Sequence, residues 1–204
     1  MTSFDDRAAT WDDPTKIARA ATVARVIGEA VPLSPSVRLL EYGAGTGLVT
    51  QALGDAVGPV TLADTSTGMR AVMAEKVATG VLPGDARIWD VDLSTDPAPA
   101  DRFDLVVTCL TLHHIPDLGP VLAAFATLLD PGGHLCIADL EAEDGSFHGE
   151  GFHGHHGFVR TELAAQVEAA GFGPVEYREC GSVERPDGTY PMFLATAPRH
   201  DRDG

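Results

Sequence analysis

The stretch from Val37 to Gln51 constrains this chain more than any other. Val37 to Tyr42 is apolar, β-prone and preceded by Pro35, so it reads as a buried strand. A helix start is expected at Thr46, whose hydroxyl suits a cap for the free amides. Gly43, Gly45 and Gly47 lie between them. A strand, a tight glycine turn and a helix N-terminus together form a cradle for a polar ligand. Glycine is required where the backbone turns sharply and a ligand approaches without meeting a Cβ.

The spacing of the glycines narrows the ligand. A dinucleotide fingerprint would place glycines at 43, 45 and 48, but position 48 is leucine and an acid, Glu41, stands near the end of the strand. Glu-Tyr-Gly-Ala-Gly-Thr-Gly resembles the first motif of the class I S-adenosylmethionine-dependent methyltransferases. That cofactor is a sulfonium cation without phosphate, which an acidic rim suits. The resemblance implies cofactor contacts at Glu41, Gly43, Ala44, Gly45, Thr46 and Gly47.

The rest of the chain alternates strands and helices. Strands are expected over 59–63, 86–91, 103–109 and 134–139, and a final hairpin over 174–180 and 190–197. Helices are expected over 15–31, with Ile17, Ala21, Ala24 and Ile27 inward, and over 66–79, 118–129 and 161–170, the last opened by a Thr161 cap. Such alternation demands an α/β fold: a Rossmann-like, doubly wound, mostly parallel sheet of about seven strands with a C-terminal antiparallel hairpin strand. The ligand would sit at the carboxyl ends of the strands. Residues 1–36 read as an N-terminal arm and lid helix, and 37–204 as the S-adenosylmethionine-binding domain, with an acceptor-side insertion near 141–158.

Acids recur at those strand ends. Asp64, with Thr65 and Met69 as further candidate cofactor contacts, closes the second strand, where a carboxylate accepts both ribose hydroxyls or merely caps the next helix. The resemblance further implies an adenine contact from Asp92 and the backbone of Leu93, and contacts to the methionine portion from Thr108 and Cys109. Asp90 also qualifies by position; the family's interval to Asp104 favours Asp92. His113-His114-Ile115 and Leu128 to Leu135 are further family-like segments, the second structural. In related enzymes an arm like Phe4 to Trp11 closes over the cofactor, which makes Trp11 a contact; a helix that only covers the sheet is the other reading.

The cofactor carries its own leaving group, so the protein's task is orientation, with a base only if the nucleophile arrives protonated. His114 and His113 are the candidate catalytic residues, against a structural role in hydrogen bonding. His148, His153, His155 and His156 crowd a glycine-rich segment with Phe147, Phe152 and Phe158. It reads as an acceptor-side lid; a metal held with Glu150 is an alternative whose spacing matches no zinc pattern, so no metal ligand is assigned.

A formal net charge of −16 repels phosphate backbones and anionic lipids, so neither nucleic acid nor membrane is expected as a partner, and a small-molecule substrate is. No apolar run suits a membrane span or an export signal, and Cys109, Cys136 and Cys180 are spaced as reduced core residues, which fits a cytoplasmic location. A nicotinamide-dependent oxidoreductase and a non-catalytic cofactor-binding domain are the competing classes.

Overall fold

The structure is a computed structural model that describes residues 4–186 and 188–200. Its elements are α1 (Phe4–Arg7), α2 (Pro14–Ala30), β1 (Leu39–Tyr42), α3 (Leu48–Leu53), β2 (Val60–Ala63), α4 (Thr67–Ala78), β3 (Arg87–Trp89) and β4 (Phe103–Cys109). Next come α5 (Leu118–Leu128), β5 (Leu129–Leu140), α6 (Arg160–Ala169), β6 (Glu176–Arg185) and β7 (Gly188–Pro198). The seven strands form one sheet in the order β3-β2-β1-β4-β5-β7-β6. Strands β1 to β5 pair in parallel, and β7 runs antiparallel to both β5 and β6.

Strand alternation divides the core. Leu39, Leu105, Val107, Cys136 and Ala138 face the layer with α2 and α3, while Leu40, Val106, Leu135 and Ile137 face α5 and α6. Every residue of β1 is buried, as befits a central parallel strand covered on both sides. At the amino edge, Arg38 ties the sheet together by pairing with Asp104 at 2.5 Å and Asp130 at 2.6 Å. The opposite, carboxyl edge is left for the loops.

Several local expectations are corrected. Helix α2 buries Ala20, Val23, Ala24, Val26 and Ile27, whereas Ile17 is 45% exposed and Ala21 is exposed. A helical stripe fixes which face turns inward but not how much of the helix has something to cover it. Helix α6 starts at Arg160 behind Val159, with no side-chain cap, so Thr161 is not its cap. The hairpin strands run longer than expected because a bulge at Gly181, φ +98°, lets β6 continue past Glu179. In the tail, Arg199 is docked, donating from Nε to the Ala126 carbonyl at 2.8 Å; residues 201–204 lie outside the described residues.

Candidate active site at the carboxyl edge

The strand order reverses between β1 and β4, and connections leave the two strands toward opposite faces, opening a crevice at their carboxyl ends. Gly43, Gly45 and Gly47 line its start with φ of +66°, +57° and +77°. At Gly43 a Cβ would lie 2.2 Å from Cγ2 of Thr111, so both the backbone and the space exclude a side chain. The Ala44 amide donates to the Ala63 carbonyl at 3.0 Å, pinning the turn to the end of β2.

Asp64 is brought against this turn. Its Oδ2 accepts from the Gly45 amide and its Oδ1 from the Ser66 amide, both at 2.8 Å. Burial raises its pKa above the usual carboxylate value, against the lowering effect of these two bonds. Ser66, not Asp64, caps α4 by accepting from the Met69 amide. Thr65 is exposed beside Asp64, and Met69 is buried.

Glu41 and Thr46 differ from their expected roles. Glu41 is 3% exposed and turned under the loop, not placed on a rim. Its Oε2 accepts from the Thr50 amide at 2.9 Å and from the Thr50 hydroxyl at 2.5 Å, joining β1 to α3, and burial pushes its pKa up to about 7. Helix α3 begins at Leu48, with left-handed Gly47 at its N-terminus and no side-chain cap. The Thr46 hydroxyl instead donates to Asp12.

That bond belongs to the N-terminal arm, which is docked over the cradle. Asp12 also pairs with Lys76 at 2.6 Å, and Lys76 donates to the Thr46 carbonyl at 3.0 Å. Asp5 accepts from the Ser66 hydroxyl at 2.5 Å and the Gly68 amide at 2.8 Å, an acid at the N-terminus of α4. The indole Nε1 of Trp11 lies 3.7 Å from where a Cβ on Gly45 would stand, and Phe4 meets the Trp11 ring at 5.8 Å between centroids.

Farther along the edge, Asp92 accepts from the Ser94 amide at 3.0 Å and hydroxyl at 2.6 Å. The amide of Leu93, expected to meet a ligand ring, donates to the Tyr42 hydroxyl at 3.1 Å. Asp90 is turned away, pairing with Arg70 at 2.8 Å. Thr108 is buried, with a hydroxyl that has no partner, and burial raises the Cys109 thiol well above its usual range. Leu110 has φ +52°, an unfavourable backbone for leucine that turns the chain sharply off β4 at the crevice.

The turn Leu112–His114 follows. His113 is buried, and its Nδ1 lies 2.6 Å from Oδ1 of Asp139, a carboxylate 0% exposed at the end of β5. The carboxylate only accepts, so the proton is on Nδ1 and, in the neutral ring, the lone pair is on Nε2. His148 reaches over from the insertion to within 5.0 Å of both His113 and His114, centroid to centroid. Desolvation, with the neighbouring His113 adding to it, pushes the pKa of His114 and of His148 down to about 4.

The remaining histidines separate. His155 donates from Nε2 to the Ile115 carbonyl at 3.0 Å, His156 meets Glu143 at 3.2 Å, and His153 and Glu150 are exposed. The four histidines of the insertion therefore do not form one group with Glu150. Asp139, Tyr42 and Thr111 are site residues that strand patterns do not flag. An acid within the apolar run of β5 was the available signal for Asp139.

A mostly parallel sheet with a glycine cradle, carboxylates along its edge and a docked arm defines a nucleotide-type cofactor fold. A methyltransferase domain family model matches residues 9–177. The chain belongs to the class I S-adenosylmethionine-dependent methyltransferase family. The ubiquinone biosynthesis O-methyltransferase of Xylella fastidiosa is 30% identical over 181 residues, covering 79% of this chain and 72% of that protein. The biotin biosynthesis bifunctional protein BioCD of Bordetella avium is 38% identical over 129 residues, 62% of this chain and 26% of the larger protein. The chain thus spans only about a quarter of that relative. A SAM-dependent methyltransferase from Aquifex aeolicus superposes with a TM-score of 0.69 at 19% identity, over 95% of this chain and 97% of that one. No helix among the described residues is long and apolar enough to cross a membrane.

Proposed function

We propose that this chain transfers the methyl group of S-adenosylmethionine to a small-molecule acceptor, in a reducing, cytoplasm-like compartment. The observation that carries the reading is Asp64 fixed against Gly45 at the point where the sheet reverses. A carboxylate there, beside backbone with no Cβ, is placed to accept the paired hydroxyls of a ribose. Asp92 lies along the same edge for the adenine, steadied by the Tyr42 hydroxyl, to which the Leu93 amide is already bonded. The partnerless hydroxyl of Thr108 and the neighbouring Cys109 backbone suit the polar end of the methionine portion. Trp11 would cover the bound cofactor, with Asp12, Thr46 and Lys76 latching the arm.

The cofactor, when bound, supplies an electrophilic methyl on a sulfonium leaving group. The chain orients it and shields it from water. His113 and His114 follow Thr111 on the acceptor side of the crevice, and the insertion closes that side with Phe147 and Phe152, while Phe158 is buried in the core beside α6. The strongly acidic surface disfavours nucleic acid as acceptor, and the small-molecule enzymes among the relatives support the same choice.

Asp64→Ala tests the reading. Calorimetry should show S-adenosylmethionine bound at a single site, weakened about tenfold to a hundredfold by the substitution, as for loss of charge-assisted hydrogen bonds of roughly 1.5–3 kcal/mol. An unchanged affinity would leave Asp64 as a brace of the loop only.

A further inference from the structure

His113, His114 and His148 each offer a ring nitrogen within 4.8 Å of the others. The Nε2 atoms of His113 and His148 are buried and have no hydrogen-bond partner. A buried polar atom left unmet is destabilising, and here two stand in one cluster. Three imidazoles converge with centroids 4.2 to 5.0 Å apart. Among the described residues, the one carboxylate bonded to the cluster, Asp139, is on the far nitrogen of His113. A carboxylate on Nδ1 that turns Nε2 inward is the outer support of a metal-binding histidine.

The third histidine is held by packing. The His155 amide donates to the His113 carbonyl at 2.7 Å, and Phe152 stacks on His148 at 3.8 Å. Gly154 lets the segment lie this close, since a Cβ there would be 2.1 Å from the His113 carbonyl oxygen. The insertion is thereby clamped to the turn after β4, and His148 is presented to the cluster by packing, not by chance approach of a free loop.

We propose that His113, His114 and His148 bind a divalent transition metal of the zinc class, with a coordination position left open toward the acceptor. Three imidazoles with no thiolate favour zinc, cobalt, nickel or copper over magnesium or calcium. A tetrahedral ion with bonds of about 2.1 Å holds its nitrogens about 3.4 Å apart, so the rings close slightly on binding. The open position rests on the methyl-transfer reading. There an acceptor hydroxyl or thiol gives its proton to solvent on ligation. Its lone pair then forms the bond to the methyl carbon as the carbon–sulfur bond of the sulfonium breaks, the pair leaving on the neutral thioether. The metal carries no redox change.

The test uses the full chain stripped with a chelator, without cofactor or acceptor. Cobalt(II) titration should give the visible absorption of a low-coordinate site at about one ion per chain, displaced by zinc. His148→Gln and His113→Ala should abolish that band, and Asp139→Asn should weaken zinc binding about tenfold to a hundredfold. His153→Ala should leave it unchanged. His148 is half-buried in the insertion, so its variant keeps the sheet intact, and circular dichroism confirms the fold. Absence of the band in the wild type, or its survival in either histidine variant, overturns the proposal. S-adenosylmethionine binding is read separately on the metal-free protein, so failure of the metal site is distinct from failure of the methyltransferase reading.

Discussion

Replacing Glu41 by glutamine tests the placement of that carboxyl beneath the glycine loop. Burial is the dominant cause of its raised pKa; the Thr50 amide and hydroxyl and the charge of Lys76 oppose it, and Asp64 adds to it. A carboxyl held at about 7 in the fold, against 4.5 when unfolded, costs about 3 kcal/mol to ionise in place. The folded state binds the proton more tightly, so stability from this group is full below pH 4.5 and falls as pH rises toward 7. Glutamine keeps an oxygen for Thr50 and cannot ionise. Thermal melts of the cofactor-free protein should therefore coincide near pH 4.5. At pH 8 the variant should be more stable by up to about 3 kcal/mol, roughly 6–12 °C for a chain of this size. Comparing the two proteins at each pH removes the other titrating groups. A difference independent of pH, or a variant less stable at pH 8, would refute the argument that desolvation governs Glu41.

Two further outcomes follow from the cradle. Gly43→Ala should destabilise the chain by at least about 2 kcal/mol, combining a left-handed backbone with the overlap on Thr111, and Thr111→Gly should recover only the steric share in chemical denaturation. Asp12→Ala removes the link from the arm to Thr46 and Lys76, and stopped-flow Trp11 fluorescence should show S-adenosylmethionine leaving about fivefold faster, the loss of roughly 1 kcal/mol from a partly exposed latch; an unchanged rate would mean that the arm does not gate release.

The sequence by itself determined the sheet and its ligand edge. Alternating apolar runs of strand and helix length leave few topologies, and glycines at 43, 45 and 47 sit where only a turn with positive φ connects β1 to α3. The positions of Asp64 and Asp92 at that edge were legible because strand ends are marked by the loss of apolar residues. The roles of Glu41 and Thr46 were not legible. Whether a side chain at a strand end points into the crevice or under the loop depends on partners far along the chain, Thr50 for one and Asp12 for the other. The histidines show the same division most clearly. Sequence proximity grouped His148 with His153, His155 and His156, but the tertiary fold pairs it with His113 and His114 across the crevice. Adjacent residues on a glycine-rich loop point in different directions. Residues from β4, β5 and the insertion meet only once the sheet has set the distance between them, because packing, not chain order, decides which polar atoms are buried together.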